Sequence, residues 1–463
     1  MSSRKKHESS RGARSRSARY PTLRPGPGRS AEDVAAHQRR RLRKATLELV
    51  AAHGYDAVSV ATLARRARVS KRDFYKRFAG KEECFLATYD TIVNRSVRGI
   101  LAATAGEEDW RERLRLGLLA FARQVADNPE AARLAMVEVF AAGALAVERM
   151  LRTNQLFEAL VADVANAGGS SRLPRLVVKG IVAGCGRVAR ARLFSGRPGD
   201  LALDVSELME WVLSLCDDDA ARLRGLAAAG APPRSAPAEV PFGDERALIL
   251  AAMAKLASRE GYATLTVPRV RAAAGVSRRS FDTHFDGVAD CFLATLGMLS
   301  GRALVAAEPS FLTADTWAGG VHRMIADLAQ RLARDPTFAG LAFLEVFSPE
   351  PEVIRWRSEM IVKLAAMLRR EAPPARRPSM FAAEASVGAM WGVIHHFVAT
   401  GRGTDLPIAA PVLSYIALAP ALGAAAAVDV VAAEVGRGIE TPLPGGLPRS
   451  ARSEMLARAA LPQ

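Results

Sequence analysis

Apolar residues recur every three or four positions along most of this chain, the spacing that places them on one face of an α-helix. Residues 42–52 show this spacing and stop at Gly54, and residues 249–256 repeat it before Gly261. Glycine after the last periodic residue is a common helix stop. The pattern predicts an all-α fold.

One stretch, residues 407–428, contains no charged residue and raises the question of a membrane helix. Pro411 and Pro420 interrupt it, Ala and Gly dominate it, and Asp429 follows at once. Such a composition inserts weakly into a bilayer. We therefore expect a buried helix and no membrane association.

A long internal repeat divides the chain into two similar halves. With an offset of 207 residues, residues 54–88 align with residues 261–295 at 15 identical positions of 35, and both segments end in the pentapeptide CFLAT. A period of this length indicates a duplicated domain rather than a solenoid. Pro, Ala and Gly between the halves mark a linker. The predicted segments are a disordered basic arm (1–35), a first head (36–96), a first helical body (97–216), the linker (217–242), a second head (243–303), a second helical body (304–435) and a flexible tail (436–463).

The charge of the chain favours a polyanionic partner, either nucleic acid or an anionic membrane surface. The formal net charge is +16, and the first 44 residues contain 14 basic and three acidic side chains. Residues 1–30 have almost no large apolar side chains and cannot form a core. We expect this arm to add sequence-independent affinity for phosphates.

The sequence also argues against several other functions. The arm lacks the apolar region of a secretory signal, which predicts a cytoplasmic protein. The four cysteines form no C-x-x-C pair and lie in apolar surroundings, as expected of buried, reduced thiols. The pair His395 and His396 has no further ligand at metal spacing. Hydrolase, metalloprotease and nucleotide-binding motifs are absent. We expect no enzyme, no cofactor and no metal.

The stretch SKRDFYKRF, residues 70–78, follows two short predicted helices and a tight turn. That order is typical of a helix-turn-helix, whose last helix enters the major groove of DNA. Phe74 and Phe78 lie four residues apart and should face the core. The cationic side chains and Tyr75 should then point outward, where they suit phosphates and guanine edges.

The longer stretch SVATLARRARVSKRDFYKRFAGKEECF resembles the DNA-binding head of the TetR family of bacterial regulators. The resemblance is close in both heads. The rest of each half resembles the family only in being all-helical. The resemblance implies two tandem TetR-like units, each a three-helix head with a helical body for ligand binding and dimerisation. It assigns phosphate contacts to Tyr75 and Lys81. It places Lys71, Asp73 and Lys76 where base-facing side chains occur, although Ser70-x-x-Asp73 also has capping-box spacing, and we favour capping. The candidate DNA-binding residues of the first head are Ser59, Ser70, Lys71, Arg72, Asp73, Tyr75, Lys76, Arg77 and Lys81.

The second head departs from this pattern. Asp282 stands at the position of Tyr75, and Val288 stands at the position of Lys81. A carboxylate repels phosphate and valine carries no charge, so we expect weaker DNA binding by this head. In the first head, Arg68 replaces the glycine usual in the turn, which costs energy if the position needs a positive φ. The candidate DNA-binding residues of the second head are Ser277, Arg278, Arg279, Thr283 and His284.

By the same resemblance, the last helices of each body should form a four-helix interface. These helices are predicted at residues 173–194 and 205–215 in the first half, and at residues 381–400 and 412–430 in the second. Gly180, Gly184, Gly388 and Gly392 would allow close helix approach. The interface is either an intramolecular pseudo-dimer of the two halves or a homodimer of full chains.

The ligand site is the least specific prediction, because apolar residues at helical spacing are usually core. Glu138 and Glu345 lie inside apolar runs, and a solvated helix face is the favoured interpretation for both. The candidate effector-lining residues are Trp110, Phe121, Met136, Phe140, Trp317 and Phe343, with Leu328 and Phe347 as further counterparts in the second half.

The sequence therefore favours a transcriptional regulator, in particular a repressor released from DNA by a small apolar effector. It would be a bacterial cytoplasmic protein, bound to the nucleoid through double-stranded DNA. A DNA-tethering module without an effector is the first alternative, and a membrane-surface protein that uses the basic arm is the second. Preference for one duplex over scrambled DNA separates the first function from both alternatives.

Overall fold

The computed structural model describes residues 30–167, 173–227, 244–347 and 350–437. Within these ranges the chain forms helices and no strand, in agreement with the predicted all-α fold. The α-helices of the first half are α1 (Ala31–His53), α2 (Val60–Ala67), α3 (Lys71–Tyr75), α4 (Lys81–Thr104), α5 (Trp110–Asp127), α6 (Pro129–Met136), α7 (Ala144–Ala167), α8 (Arg175–Phe194), α9 (Asp200–Leu203), α10 (Val205–Leu215) and α11 (Leu223–Ala227).

The second half repeats this order from Glu245 onward. A short 3₁₀ turn occupies matching positions in the two halves, at Glu138–Phe140 and at Glu345–Phe347. The α-helices are α12 (Glu245–Glu260), α13 (Val267–Ala274), α14 (Arg278–His284), α15 (Val288–Leu312), α16 (Trp317–Arg334), α17 (Pro336–Phe343), α18 (Pro351–Arg370), α19 (Met380–Ala399), α20 (Leu406–Leu422) and α21 (Ala424–Arg437).

Three predicted boundaries need correction. Ser30 caps α1 by a capping box with Asp33, so residues 31–35 of the predicted arm are helical. Residues 218–227 of the predicted linker form a 3₁₀ turn and α11. Helix α21 continues through the first two residues of the predicted tail. The rest of the predicted arm, linker and tail lies outside the described residues.

The predicted helix 412–430 is in fact two helices, because Gly423 has a φ of +80° and ends α20. A left-handed φ is accessible to glycine at little cost and terminates the helix. Pro411 and Pro420 lie within α20, which is mostly buried. Residues 288–312 and 403–422 are long and apolar enough to cross a membrane by length and composition alone.

The described residues form two compact units that do not coincide with the two halves of the repeat. One unit contains residues up to 99 together with 127–153, and the other contains 100–126 and everything from 154 onward. The core of the first unit includes Leu42, Phe74, Phe85 and Leu134. Cys84 and Phe85 of the first CFLAT are buried in it, which makes the pentapeptide a packing element.

A carboxylate accepts a backbone hydrogen bond in each head: that of Glu138, which is buried, in the first, and that of Glu345, which is half-buried, in the second. Glu138 Oε2 accepts a hydrogen bond from the backbone N–H of Tyr55 at 3.0 Å, and Glu345 Oε2 accepts one from Tyr262 at 2.7 Å. The donor residues Tyr55 and Tyr262 directly follow Gly54 and Gly261, both of which have a positive φ. The expectation of a solvated helix face is therefore wrong for Glu138, which is only 2% exposed, whereas Glu345 is half-buried.

The two carboxylates differ in their charge partners. Arg133 Nη2 lies 3.3 Å from Glu138 Oε1, whereas glycine occupies the matching position 340 in the second half. Burial raises the pKa of Glu345, although the hydrogen bond from Tyr262 opposes the shift. The ionised form of Glu345 is thus less well compensated than that of Glu138.

We expect Glu138→Gln to lower the free energy of unfolding at pH 8, and we expect Glu345→Gln not to lower it. Glu138→Gln removes the partner of Arg133 and should cost about 1–2 kcal/mol. Glu345→Gln keeps an acceptor for Tyr262 and removes a costly charge, so it should be neutral or stabilising.

The pH dependence provides the control for this pair. Because the folded pKa of Glu345 is raised, wild-type stability attributable to this group increases as the pH falls through that pKa. Any gain in the free energy of unfolding of Glu345→Gln over the wild type should therefore shrink as the pH is lowered from 8 to 5. Denaturant titrations measure this difference. An advantage that grows on acidification contradicts this account.

In the second unit, α8 and α10 of the first half pack against α19 and α20 of the second. Trp211 Nε1 donates to Ser386 Oγ at 3.0 Å, and the Tyr415 hydroxyl donates to the carbonyl of Leu215 at 3.1 Å. Both hydrogen bonds are buried and join the two halves of the repeat. The predicted helices of the interface thus contact one another within one chain.

Glycines set the distance between α8 and α19. A Cβ added at Gly392 would lie 2.2 Å from Ala183 Cβ, and one added at Gly388 would lie 2.6 Å from the Arg187 stem. A Cβ at Gly184 would lie 2.3 Å from the Trp211 ring. Side chains at these positions would force the helices apart.

Candidate nucleic-acid interface

The first helix-turn-helix is fixed by a cap at the start of α3. Ser70 Oγ accepts from the N–H of Asp73 at 3.0 Å and donates to Asp73 Oδ2 at 2.7 Å. Lys76 Nζ lies 3.3 Å from Asp73 Oδ1. Side-chain hydrogen bonds, from Ser70 first and then from Lys76, lower the pKa of the Asp73 carboxyl. Asp73 is thus held at the helix N-terminus, as the favoured capping interpretation predicted.

The face of α3 opposite the core is cationic and open to solvent. Phe74 is fully buried, whereas Lys71, Arg72, Tyr75 and Lys76 are exposed. The Tyr75 side chain is 58% exposed and meets the ring of Phe74 edge-on. Lys71 and Arg72 on this short helix, together with Lys76 directly after it, present long cationic side chains to solvent, which suits contacts to phosphates and base edges.

Arg77, which was predicted to point outward, and Lys81, which the resemblance assigned to phosphate, both contact other residues of the head. Arg77 Nε donates to Gln38 Oε1 at 3.0 Å, and the Arg77 side chain is half-buried against α1. Lys81 Nζ donates to the Tyr55 carbonyl at 3.2 Å and lies 4.0 Å from the centroid of its ring.

Ser59 also has a local partner. Its Oγ accepts from the N–H of Thr62 at 3.2 Å, and Thr62 Oγ1 accepts from the N–H of Ser59 at 2.9 Å. Ser59, named as a candidate DNA-binding residue, thus caps α2. The turn after α2 has Arg68 at φ +52°, whereas Gly275 has φ +70° at the matching position. The expected backbone cost at Arg68 follows from this left-handed conformation.

The second head presents fewer available cations. Arg278 Nε lies 3.3 Å from Asp282 Oδ2, so the carboxylate at the Tyr75 position partly neutralises it. Thr283 Oγ1 donates to the carbonyl of Arg279, and Ser277 Oγ accepts from the N–H of Ser280 as the cap of α14. His284 is half-buried next to Phe285.

The second body encloses an apolar cavity of about 180 Å³. Trp317, Leu328 and Phe343 line it, whereas Phe347 lies against His395. Trp391 also lines the cavity, although sequence reasoning missed it. The indole Nε1 atoms of Trp317 and Trp391 are buried and have no hydrogen-bond partner in the described part of the chain.

The candidate lining residues of the first half have packing contacts. The guanidinium of Arg111 stacks on Trp110, and Phe121 meets Phe157 edge-on at 6.5 Å. Phe140 packs on the core of the first unit, and Met136 is partly buried at the end of α6. Among the described residues, no group of three His, Cys, Asp or Glu side chains could hold a metal ion.

Two capped helix-turn-helix heads with cationic last helices define a DNA-binding protein of the helix-turn-helix class. A family profile described as bacterial regulatory proteins, tetR family, matches residues 42–88 and again residues 249–295. The chain belongs to the TetR family and contains two TetR-type units in tandem. It is a DNA-binding transcription regulator.

Individual proteins are similar to parts of this chain. The HTH-type transcriptional activator FasR of Mycolicibacterium smegmatis is 29% identical over 168 residues, which span 35% of this chain and 75% of the relative. The structure of the fatty acid degradation regulator FadR from Bacillus halodurans covers 41% of this chain and 97% of its own, with 20% identity and a TM-score of 0.35. A TetR-like transcriptional regulator from Rhodococcus covers 39% of this chain and 97% of its own, with 20% identity and a TM-score of 0.34.

Proposed function

We propose that the first head supplies most of the DNA affinity and that the second head is a weaker contact. The observation that carries this proposal is the position of Asp282, which replaces Tyr75 and pairs with Arg278. Lys71 and Arg72, in contrast, are exposed and have no carboxylate within ion-pair distance among the described residues. The two heads should therefore bind two unequal half-sites.

We further propose that the two halves form, inside one chain, the four-helix packing that TetR regulators form between subunits. The buried bonds from Trp211 to Ser386 and from Tyr415 to Leu215 support this proposal. A homodimer of full chains is the alternative. Light scattering at low concentration should give the mass of one chain for the pseudo-dimer and twice that mass for the homodimer.

The cavity of the second body is the proposed effector site. Its lining is almost entirely apolar, which favours an apolar ligand. The indole N–H groups of Trp317 and Trp391 are donors only, so a ligand with a carbonyl or hydroxyl oxygen would satisfy them. An effector that prefers one body conformation would change DNA affinity through the population of that conformation.

We propose a cytoplasmic repressor that releases DNA on effector binding. The name of the relative FasR favours activation as the second candidate, in which the bound protein raises transcription. A reporter gene under the selected operator separates the two, because deletion of a repressor raises expression and deletion of an activator lowers it.

A substitution that fills the cavity tests effector control without knowledge of the ligand. Ala329 lines the cavity and is 2% exposed, so Ala329→Leu adds bulk where the effector would lie. If effector occupancy releases DNA, this variant should bind operator about 5–150-fold more weakly, the usual range of allosteric coupling. Binding is measured by fluorescence anisotropy.

Leu328→Met is the matched control, since it conserves volume in the same cavity wall and should bind DNA like the wild type. Thermal melting verifies that both variants fold. A folded Ala329→Leu protein with unchanged DNA affinity would contradict effector control through this cavity.

A further inference from the structure

A cationic groove of about 430 Å³ runs along the first head, between the end of α1 and the length of α2. It is lined by His53 at the end of α1, by Arg65 and Arg66 of α2, and by Arg68 of the turn that follows. No residue of α3 lines this α1–α2 groove. The groove is therefore separate from the exposed face of α3 described above.

Two of the three arginines have no counter-charge in the described part of the chain. Arg66 Nε donates to Glu48 Oε2 at 2.9 Å, so a carboxylate shares its charge. Arg65 and Arg68 are exposed, and no carboxylate among the described residues lies within ion-pair distance of either. Guanidinium groups that border one groove attract an anion, and their planar donors match the oxygens of a phosphate in pairs.

Arg68 has a backbone conformation that glycine adopts at a lower cost. Its φ is +52° and its ψ is +46°, in the left-handed region, which is strained for a residue with a Cβ. Arg41 Nη2 donates to the Arg68 carbonyl at 2.9 Å and holds the turn through the backbone. Strain of this kind is concentrated at functional sites. The turn uses the backbone of residue 68, whereas the exposed side chain is available to the groove.

The second head has the same helices without these cations. At the offset of 207, the three arginines of the groove align with Ala272, Ala273 and Gly275. Gly275 has a φ of +70°, so the same left-handed turn forms there with glycine. At the other aligned lining positions the charged residues are Glu260 and Arg269, which pair with each other. The first head thus has a strained arginine where the duplicate shows that glycine suffices for the turn.

The groove adjoins the helix that enters DNA in a helix-turn-helix. Arg68 precedes Ser70, the N-cap of α3, by two residues, so their Cα atoms lie within about 8 Å of each other. The first residues of the last helix contact base edges, and the helix before it crosses the DNA backbone. The side chains of α2 and of the turn therefore lie near the phosphates that border the major groove.

We propose that the α1–α2 groove holds one backbone phosphate of the operator between Arg65 and Arg68, and that Arg68 exchanges stability of the turn for this contact. A phosphate of DNA is favoured over a carboxylate of an acidic protein, because the groove adjoins the helix that enters the duplex. The proposal rests on DNA binding by the first head.

Arg65→Ala combined with Arg68→Gly tests the phosphate contact through the salt dependence of binding. Operator binding by the full chain should weaken about tenfold at physiological salt. The slope of log K against log salt should become shallower by about one, the change for one lost phosphate contact. Affinity for scrambled DNA should fall by the same factor, because a phosphate carries no sequence information. Fluorescence anisotropy at several salt concentrations measures all three quantities.

Arg68→Gly alone separates this contact from a purely structural role. Glycine relieves the left-handed strain, so the variant should melt at the wild-type temperature or a few degrees above it. Operator binding should nevertheless weaken. A residue that acts only through the fold would move stability and DNA affinity in the same direction, and that result would contradict the proposal.

Arg95→Ala combined with Arg98→Ala is the matched control, since it removes the same charge from the same unit. Both arginines are exposed on α4, about 20 Å or more along the helix from its start. This variant should keep the wild-type salt slope.

Two results would overturn the proposal: an unchanged salt slope in the groove variant, or a loss equal to that of the control. If Lys71→Ala with Arg72→Ala weakens binding and the groove variant does not, the groove proposal alone fails, and an acidic protein segment becomes the favoured ligand. If neither variant weakens binding, the proposed role of the first head fails as well.

Discussion

Replacement of Lys71 and Arg72 by alanine should weaken operator binding by at least about 100-fold at physiological salt. Each lost contact to a phosphate or base edge costs about 1–3 kcal/mol, and 1.4 kcal/mol corresponds to a factor of ten in affinity. Both side chains are exposed on α3, away from the buried Phe74. Fold stability should therefore change little. Fluorescence anisotropy with a selected duplex measures the effect.

The second head offers an equivalent pair for comparison. Arg278 and Arg279 align with Lys71 and Arg72 at the offset of 207. Their replacement by alanine should weaken binding less than tenfold, because Asp282 already shares the charge of Arg278. Conversely, Asp282→Tyr with Val288→Lys should strengthen binding. A larger loss from the second pair than from the first would reverse the proposed ranking of the heads.

Gly392→Ala should destabilise the second unit by about 2 kcal/mol or more. The new Cβ would lie 2.2 Å from Ala183 Cβ, so α8 and α19 must separate, and overpacking of this kind costs about 1–3 kcal/mol or more. The loss outweighs the helix propensity that alanine adds. Urea denaturation measures the free energy of unfolding.

Gly186→Ala provides the control on α8. The nearest atom to a Cβ there is a side-chain nitrogen of Arg190 at 3.4 Å, which can move. This variant should be unchanged or stabilised by up to about 1 kcal/mol, the gain of alanine over glycine in a helix. Equal effects at Gly186 and Gly392 would show that close packing of the two halves contributes nothing to stability.

Local sequence predicted the heads well because each of their features depends on near neighbours. The cap at Ser70, the buried Phe74 and the left-handed turn at Arg68 involve residues at most four positions apart in a short helix or turn. The proposed asymmetry of the heads likewise rests on two alignment positions, where Asp282 replaces Tyr75 and Val288 replaces Lys81. The structure adds that Asp282 pairs with Arg278.

Contacts distant in sequence could not be predicted in the same way. Glu138 binds the N–H of Tyr55 across 83 residues, and Arg77 donates to Gln38 across 39. Helical periodicity identifies a buried face but does not name the partner on another helix. The buried Trp391 is of the same kind, since its place in the cavity wall depends on residues that only the fold brings together.

Selection of bound duplexes from a random pool tests the central claim most directly, because it measures what the two heads contact together. Unequal heads in one chain predict an asymmetric motif with one strong half-site. Repeating the selection with Lys71→Ala and Arg72→Ala should remove that half-site. A two-fold symmetric palindrome would contradict unequal heads within one chain and would indicate a homodimer that binds through two first heads.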